Sequence, residues 1–89
     1  MLFSLGQVVA TPGALTAISE AHTTPLALLG RHLRGDWGHL CTEDERANRY
    51  ALKHGLRLLS AYTLSEENRI WIITEADRSA TTLLLPSEY

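Results

Sequence analysis

The chain has 89 residues, of which 45% are hydrophobic and 20% are charged; this fits one globular domain over residues 1–89 and excludes extensive disorder. Eight basic residues against ten acidic ones give a net charge of −2, so the basic excess of a general polyanion binder is missing. The single cysteine excludes an internal disulfide framework.

The N-terminal residues favour a cytoplasmic protein. Residues 1–6 lack the basic segment and the long apolar run of a signal peptide. No stretch approaches the roughly 18 apolar residues that a transmembrane helix needs. We therefore expect a cytoplasmic chain without membrane association.

The first part of the chain predicts one strand and two helices. Gln7–Ala10 is a short apolar run typical of a strand. Thr11-Pro12 and Thr24-Pro25 each combine an N-cap residue with proline at the first helical position, where the missing N–H costs nothing. The first helix is expected to end near His22, and the second at Gly35, a left-handed C-cap.

Helical spacing predicts the buried side chains of these helices. In the first helix they are Ala14, Leu15, Ile18 and Ala21. In the second they are Leu26, Leu29 and Leu33, flanked by Leu28. Arg31, His32 and Arg34 fall in the last turn of the second helix, where positive charge interacts favourably with the helix dipole.

A third helix is predicted between Thr42 and Gly55. Thr42 and Glu45 have the spacing of a capping box, and Gly55 stops the helix. The residues expected to face the core are Ala47, Tyr50, Ala51 and His54.

Three strands then follow, with short polar loops between them. They are predicted over residues 56–64, 69–74 and 79–85, and consecutive strands with short loops form an antiparallel meander. Leu83–Leu85 puts apolar residues on both faces of the last strand, which requires a central position or cover on both sides. The sequence thus predicts an α+β fold, β-α-α-α-β-β-β. Its sheet is mainly antiparallel with about four strands, helices pack on one face, and the first strand lies at an edge or in the middle.

The turn Gly35–Gly38 separates the helical half from the strand-rich half. We expect Asp36 to accept hydrogen bonds from amides of the turn or near Gly38, and Trp37 to pack the turn against the sheet. His32, Asp36 and His39, whose side chains can bind a metal or act in acid–base catalysis, lie in or beside this stretch, so it is also the first candidate site.

A metal site is the first function to consider. Its ligands would be His32, His39 and Cys41, with Asp36 or His22. The chain has neither Cys-x-x-Cys nor His-Glu-x-x-His, and the alternative reading is a helix-terminal His32, a loop His39 and a Cys41 that packs as a small residue. We predict no metal and no cofactor.

Phosphodiester chemistry is the second. The candidate catalytic residues are His32, Asp36, His39 and Arg78. Histidine with Glu75 or Asp77 would supply acid and base, and Arg34 or Arg78 would stabilise a pentavalent phosphate. The alternative is that Glu75, Asp77 and Arg78 only form a hairpin turn.

Nucleic-acid binding without catalysis is the third. Its candidate residues are Arg34, Trp37, Arg46, Arg49 and Lys53, joined by Arg31. The arginines and the lysine would contact phosphates, and Trp37 would stack on a base. The alternative is a solvated helix face beside Glu43 and Glu45.

Protein interaction is the fourth. A small domain with an exposed strand edge offers a surface for a protein partner or for a homodimer. This interpretation is favoured over any enzyme.

Four stretches, Gln7–Ala14, Arg34–Gly38, Trp71–Ser79 and Thr81–Tyr89, resemble a largely uncharacterised family of small bacterial proteins associated with plasmids or mobile elements. The resemblance implies a single-domain α+β protein of the bacterial cytoplasm and brings no established activity or catalytic residue. We therefore expect a non-enzymatic accessory or interaction protein of bacterial mobile elements. The alternative is a small nucleic-acid-binding module or a metal-independent nuclease that uses His32, His39 and nearby arginines.

Overall fold

The computed structural model describes residues 2–89, in which one strand and three helices precede three further strands. The elements are β1 Gln7–Ala10, α1 Pro12–Glu20, α2 Pro25–Leu33, α3 Thr42–His54, β2 Leu58–Thr63, β3 Arg69–Thr74 and β4 Ala80–Leu84, followed by a 3₁₀ turn at Pro86–Glu88. The predicted α+β fold and its element order are confirmed. Within residues 2–89, no helix has both the length and the apolar character needed to cross a bilayer.

The four strands form one mixed sheet in the order β1-β4-β3-β2. β2, β3 and β4 are antiparallel neighbours, as the predicted meander requires. β1 joins at the edge and runs parallel to β4, with Val8 opposite Thr81. β4 is therefore a central strand, which explains the apolar residues on both of its faces.

Two of the helices cover one face of the sheet. The core contains Ala14, Ala17 and Ile18 of α1 and Leu28 and Leu29 of α2. These pack on strand residues that alternate along the sheet, namely Tyr62, Ile70, Ile72 and Leu83. We call this side the helical face and the other side the open face.

Helix α3 lies along β2, the other edge strand, where Ala51 packs with Leu58 and Trp37. Its buried residues are Asn48 and Ala51, whereas the predicted Ala47, Tyr50 and His54 are exposed. The prediction is confirmed for Ala51 and wrong for the other three, because α3 meets the sheet along a narrow line that a residue pair spaced three apart is enough to fill.

The buried stripes of α1 and α2 are also rotated from the predicted ones. Ala17 is buried in α1, whereas Leu15 is 47% exposed. The two residues lie roughly 80° to either side of the Ala14–Ile18 line, and the buried side of the helix is the one that holds Ala17. In α2, Leu28 and His32 are buried with Leu29, and Leu26 is exposed. Ala21 lies beyond the end of α1, and Leu33 at the end of α2; both are only partly buried.

The predicted N-cap residues are confirmed for α1 and α2 but not for α3. The hydroxyl oxygens of Thr11 and Thr24 accept hydrogen bonds from the amides of Ala14 and Ala27. The N-cap of α3 is Cys41, not Thr42, and no side chain caps this helix. The predicted capping box is wrong because Thr42 already lies inside the helix. Cys41, for which the sequence offered a packing role as the alternative to metal binding, is exposed.

Candidate functional site

His32 stands at the centre of a buried chain of hydrogen bonds on the helical face. Its Nδ1 lies 2.5 Å from the Ser60 hydroxyl, and its Nε2 lies 2.9 Å from the Thr74 hydroxyl. Thr74 is 2.8 Å from the Thr81 hydroxyl, which donates to the Leu5 carbonyl at 2.8 Å. The chain connects α2 to three strands and to the segment before β1.

The hydrogen bond from Thr81 to the Leu5 carbonyl fixes the direction of the others. Because Thr81 gives its only hydroxyl proton to Leu5, it must accept from Thr74. Thr74 therefore accepts from Nε2–H of His32, and Nδ1 is left to accept from Ser60. A neutral imidazole with its proton on Nε2 satisfies every member of the chain.

Burial keeps His32 neutral. Its side chain is fully buried, and desolvation lowers its pKa to about 4. The rings of Phe3 and Trp37 pack edge-on against the imidazole at centroid distances of 5.1 and 5.6 Å. The expectation that His32 acts as a cation at the end of the helix dipole is therefore wrong, and its imidazole is closed off from any solvent-borne substrate.

The turn after α2 is held by Asp36, as predicted. Arg31 donates to the Asp36 carboxylate through Nε at 2.7 Å and through a terminal nitrogen at 3.3 Å. The amide of Gly38 donates to the same carboxylate at 3.3 Å. The Arg31 hydrogen bond is the main reason why the pKa of Asp36 is lowered. The Tyr62 hydroxyl donates to the Asp36 carbonyl at 2.6 Å, so the turn is tied to the sheet.

The same turn pairs with the edge strand β2. The amide of Ala61 donates to the Trp37 carbonyl at 2.9 Å, and the amide of His39 donates to the Ala61 carbonyl at 2.7 Å. Gly38 between them has φ of +77°, and a side chain there would strike the Ala61 carbonyl. Trp37 is buried, as expected of a packing anchor.

Arg78 holds the end of α3 against the β3–β4 turn. Its guanidinium donates to the carbonyls of Leu56, Glu75, Ala76 and Ala51. His39 is exposed in the loop before α3. Within residues 2–89, no hydrogen bond or ion pair joins any two of the candidate catalytic residues His32, Asp36, His39 and Arg78. Three of the four are bound to structural partners instead.

The remaining sequence candidates do not form a cluster with them. In the part of the chain that is described, no three His, Cys, Asp or Glu side chains are grouped as metal ligands. Arg34, Arg46, Arg49 and Lys53 are exposed. Trp37 is only 8% exposed, so it has no free ring face for stacking on a base.

The two edges of the sheet differ sharply. At β2, the side-chain amide of Asn48 donates to the Leu59 carbonyl at 2.6 Å and accepts from the Leu59 amide at 3.0 Å. Asn48 thus replaces a strand neighbour at Leu59, and the turn at Gly38 does so at Ala61. This edge is closed to a further strand.

The closed edge gives a direct prediction. Asn48→Ala leaves both backbone groups of Leu59 without their partners in a partly buried position, so we expect the free energy of unfolding to fall by about 2 kcal/mol. Urea denaturation measures the loss. The control is Arg49→Ala on the exposed side of the same helix, and equal stability of the two variants would show that Asn48 does not close the edge.

At β1 the edge is open. The amides of Gln7 and Thr11 donate to the Ser79 and Leu83 carbonyls of the β4 side. Since successive amides of a strand point in opposite directions, the backbone groups of Val8 and Ala10 point away from the sheet. Val8 on the helical face and Val9 on the open face are each 45% exposed. In the described part of the chain, β1 is therefore an apolar strand with one side unpaired.

The open face is apolar near its centre. Arg57, Leu59, Trp71, Ile73 and Tyr89 line most of a shallow pocket of about 250 Å³. Tyr89 packs edge-on against Trp71, and Arg57 donates to the Tyr89 hydroxyl at 2.7 Å. Tyr89 itself remains largely exposed, so its side chain covers this face only in part.

The polar residues that complete the buried hydrogen-bond chain and close the β2 edge were not identified from the sequence. Ser60, Thr74 and Thr81 occupy inward positions of strands, and Asn48 sits on a polar helix. A polar residue at an inward strand position is the signal that could have revealed the first three. No protein family, curated protein or solved structure matches this chain, so the functional argument rests on these contacts.

Proposed function

We propose that this chain is a non-enzymatic interaction protein that binds a protein partner through the open edge of β1. The observation that carries the proposal is the contrast between its two sheet edges. β2 is closed by Asn48 and by the Gly38 turn, whereas the outward backbone groups of Val8 and Ala10 have no partner among residues 2–89, and Val8 and Val9 are exposed beside them.

The side chains that favoured catalysis support the same conclusion. His32 is buried and neutral, Asp36 is paired with Arg31, and Arg78 binds backbone carbonyls. A general acid–base catalyst must reach the proton that it transfers, and His32 is fully enclosed. The setting of a bacterial mobile element is part of the proposal and rests on the resemblance of the four sequence stretches alone.

The nucleic-acid alternative has less support. Its basic residues on α3 are exposed, but the net charge is negative and the stacking residue is buried. We therefore keep protein interaction as the function that the geometry favours.

Photo-crosslinking in living bacteria tests the proposal. A photoactivatable amino acid replaces Val9 in one version of the chain and Leu15 in a control with nearly the same exposure. We expect a protein crosslink at Val9 and none at Leu15, because only Val9 lies on the open edge. Crosslinks of equal yield at the two positions, or none at Val9, would contradict an interaction surface at β1.

A further inference from the structure

The open edge also indicates what its partner is, if the proposed function is right. We infer that the partner is a second copy of this chain, whose β1 pairs antiparallel with the first about a two-fold axis at Val9. The two sheets then join edge to edge into one continuous sheet.

The register follows from the backbone directions. The outward groups belong to Val8 and Ala10, so each Val8 exchanges hydrogen bonds with Ala10 of the other copy. Val9 then faces Val9 of the other copy in the non-hydrogen-bonded position, where Cα atoms lie about 4.5 Å apart. The pairing makes about four backbone hydrogen bonds and puts the same residues together twice, as a two-fold interface requires.

The strand is self-complementary in its side chains. Gln7–Ala10 contains no charge, so no like charges meet across the axis. Val8 is exposed on one face and Val9 on the other, so a partner strand with apolar residues on both faces would cover both side chains. β1 is itself such a strand.

Pairing of two copies through β1 leaves no open strand edge. After pairing, the outer strands of the joined sheet are the β2 strands of both copies, and each is closed by Asn48 and the Gly38 turn. No open edge remains for a third copy. The assembly is therefore a finite dimer and does not grow into a fibre.

Disulfide trapping tests the register. Val9→Cys in a Cys41→Ser background places two thiols opposite each other, at a Cα separation that a disulfide tolerates. Mild oxidation should convert it into a covalent dimer, detected as a doubled mass that a reductant reverses. Leu15→Cys in the same background should stay monomeric, since its exposure is similar but it lies on α1.

Val8→Pro tests the backbone hydrogen bonds of the inferred dimer. Proline removes an N–H that points outward, so the monomer keeps its hydrogen bonds to β4 while the dimer loses part of its own. With the Val9→Cys change, we expect unchanged circular dichroism and a loss of the covalent dimer. Trapping that survives Val8→Pro, or that is equal at Leu15→Cys, overturns the inference.

The results also separate this inference from the proposed function. A crosslink from Val9 to a different protein, without disulfide trapping, would leave the interaction surface standing and refute the second copy. No crosslink and no trapping at Val9 would refute both.

Discussion

His32→Ala is expected to destabilise the fold by about 3–5 kcal/mol, which is a large part of the roughly 5–10 kcal/mol that a domain of this size has. The substitution leaves a cavity between α2 and the sheet and removes a partner from both Ser60 and Thr74. The Phe3 and Trp37 rings also lose their contact with the imidazole. Urea denaturation followed by circular dichroism measures the effect.

Two comparisons make this prediction specific. His39→Ala, at an exposed loop position, should change stability by less than about 0.5 kcal/mol. If His32→Ala does not fold, Thr74→Val keeps the shape of the side chain and removes one hydroxyl from the chain, at an expected cost of about 1–2 kcal/mol. A loss below about 1 kcal/mol for His32→Ala would mean that the buried chain is not a main support of the fold.

Stability is also expected to fall as the pH falls from about 6.5 to about 4. Burial lowers the pKa of His32 to about 4 in the folded protein, from 6.5. Between these values the unfolded chain binds a proton that the folded chain does not, so acid favours unfolding. The shift in the pKa of His32 predicts that the free energy of unfolding falls by about 2 kcal/mol between pH 7.5 and pH 5. The full loss, reached once His32 is protonated in the folded protein as well, is about 3 kcal/mol.

Urea unfolding at a series of pH values measures this dependence. His32→Gln should flatten it, because glutamine does not titrate. Asp36 does not interfere in this range, since its pKa is lowered and its ion pair is lost only at more acid pH. A slope that is the same in the wild-type protein and in His32→Gln would contradict a neutral, buried His32.

The sequence predicts the elements of this fold well because their signals are local. The Thr-Pro pairs begin α1 and α2, and Gly55 ends α3 in a left-handed conformation. The strand-forming run Arg69–Thr74 matches β3 residue for residue. The role of Asp36 was also foreseen, because an Asx turn depends only on neighbouring residues.

Features that depend on distant partners were missed. The partners of His32 are 28 and 42 residues away, and in the sequence His32 looks like any other polar residue in a last helical turn. Asn48 reads as a polar surface residue until β2 is placed beside α3. The parallel pairing of β1 with β4 is likewise set by the whole sheet and not by the four residues of the strand.

The candidate site changes most between sequence and structure. The sequence predicts the stretch around Asp36 as a structural joint and, second, as a candidate catalytic site; the contacts of His32 and Asp36 are those of a joint between helices and sheet. The exposed strand edge, expected on general grounds, is located at β1 because β2 is closed.

Amide hydrogen exchange by NMR tests the contrast between the two edges most directly. At all protein concentrations the Leu59 and Ala61 amides should exchange slowly, because Asn48 and the Trp37 carbonyl accept from them. The Val8 and Ala10 amides should exchange fast in dilute protein and slow as the concentration rises and β1 pairs with its partner strand. Slow exchange at Val8 and Ala10 in dilute protein, or fast exchange at Leu59 and Ala61, would contradict an account built on one open and one closed edge. Fast exchange at Val8 and Ala10 at every concentration would contradict only the pairing with a second copy.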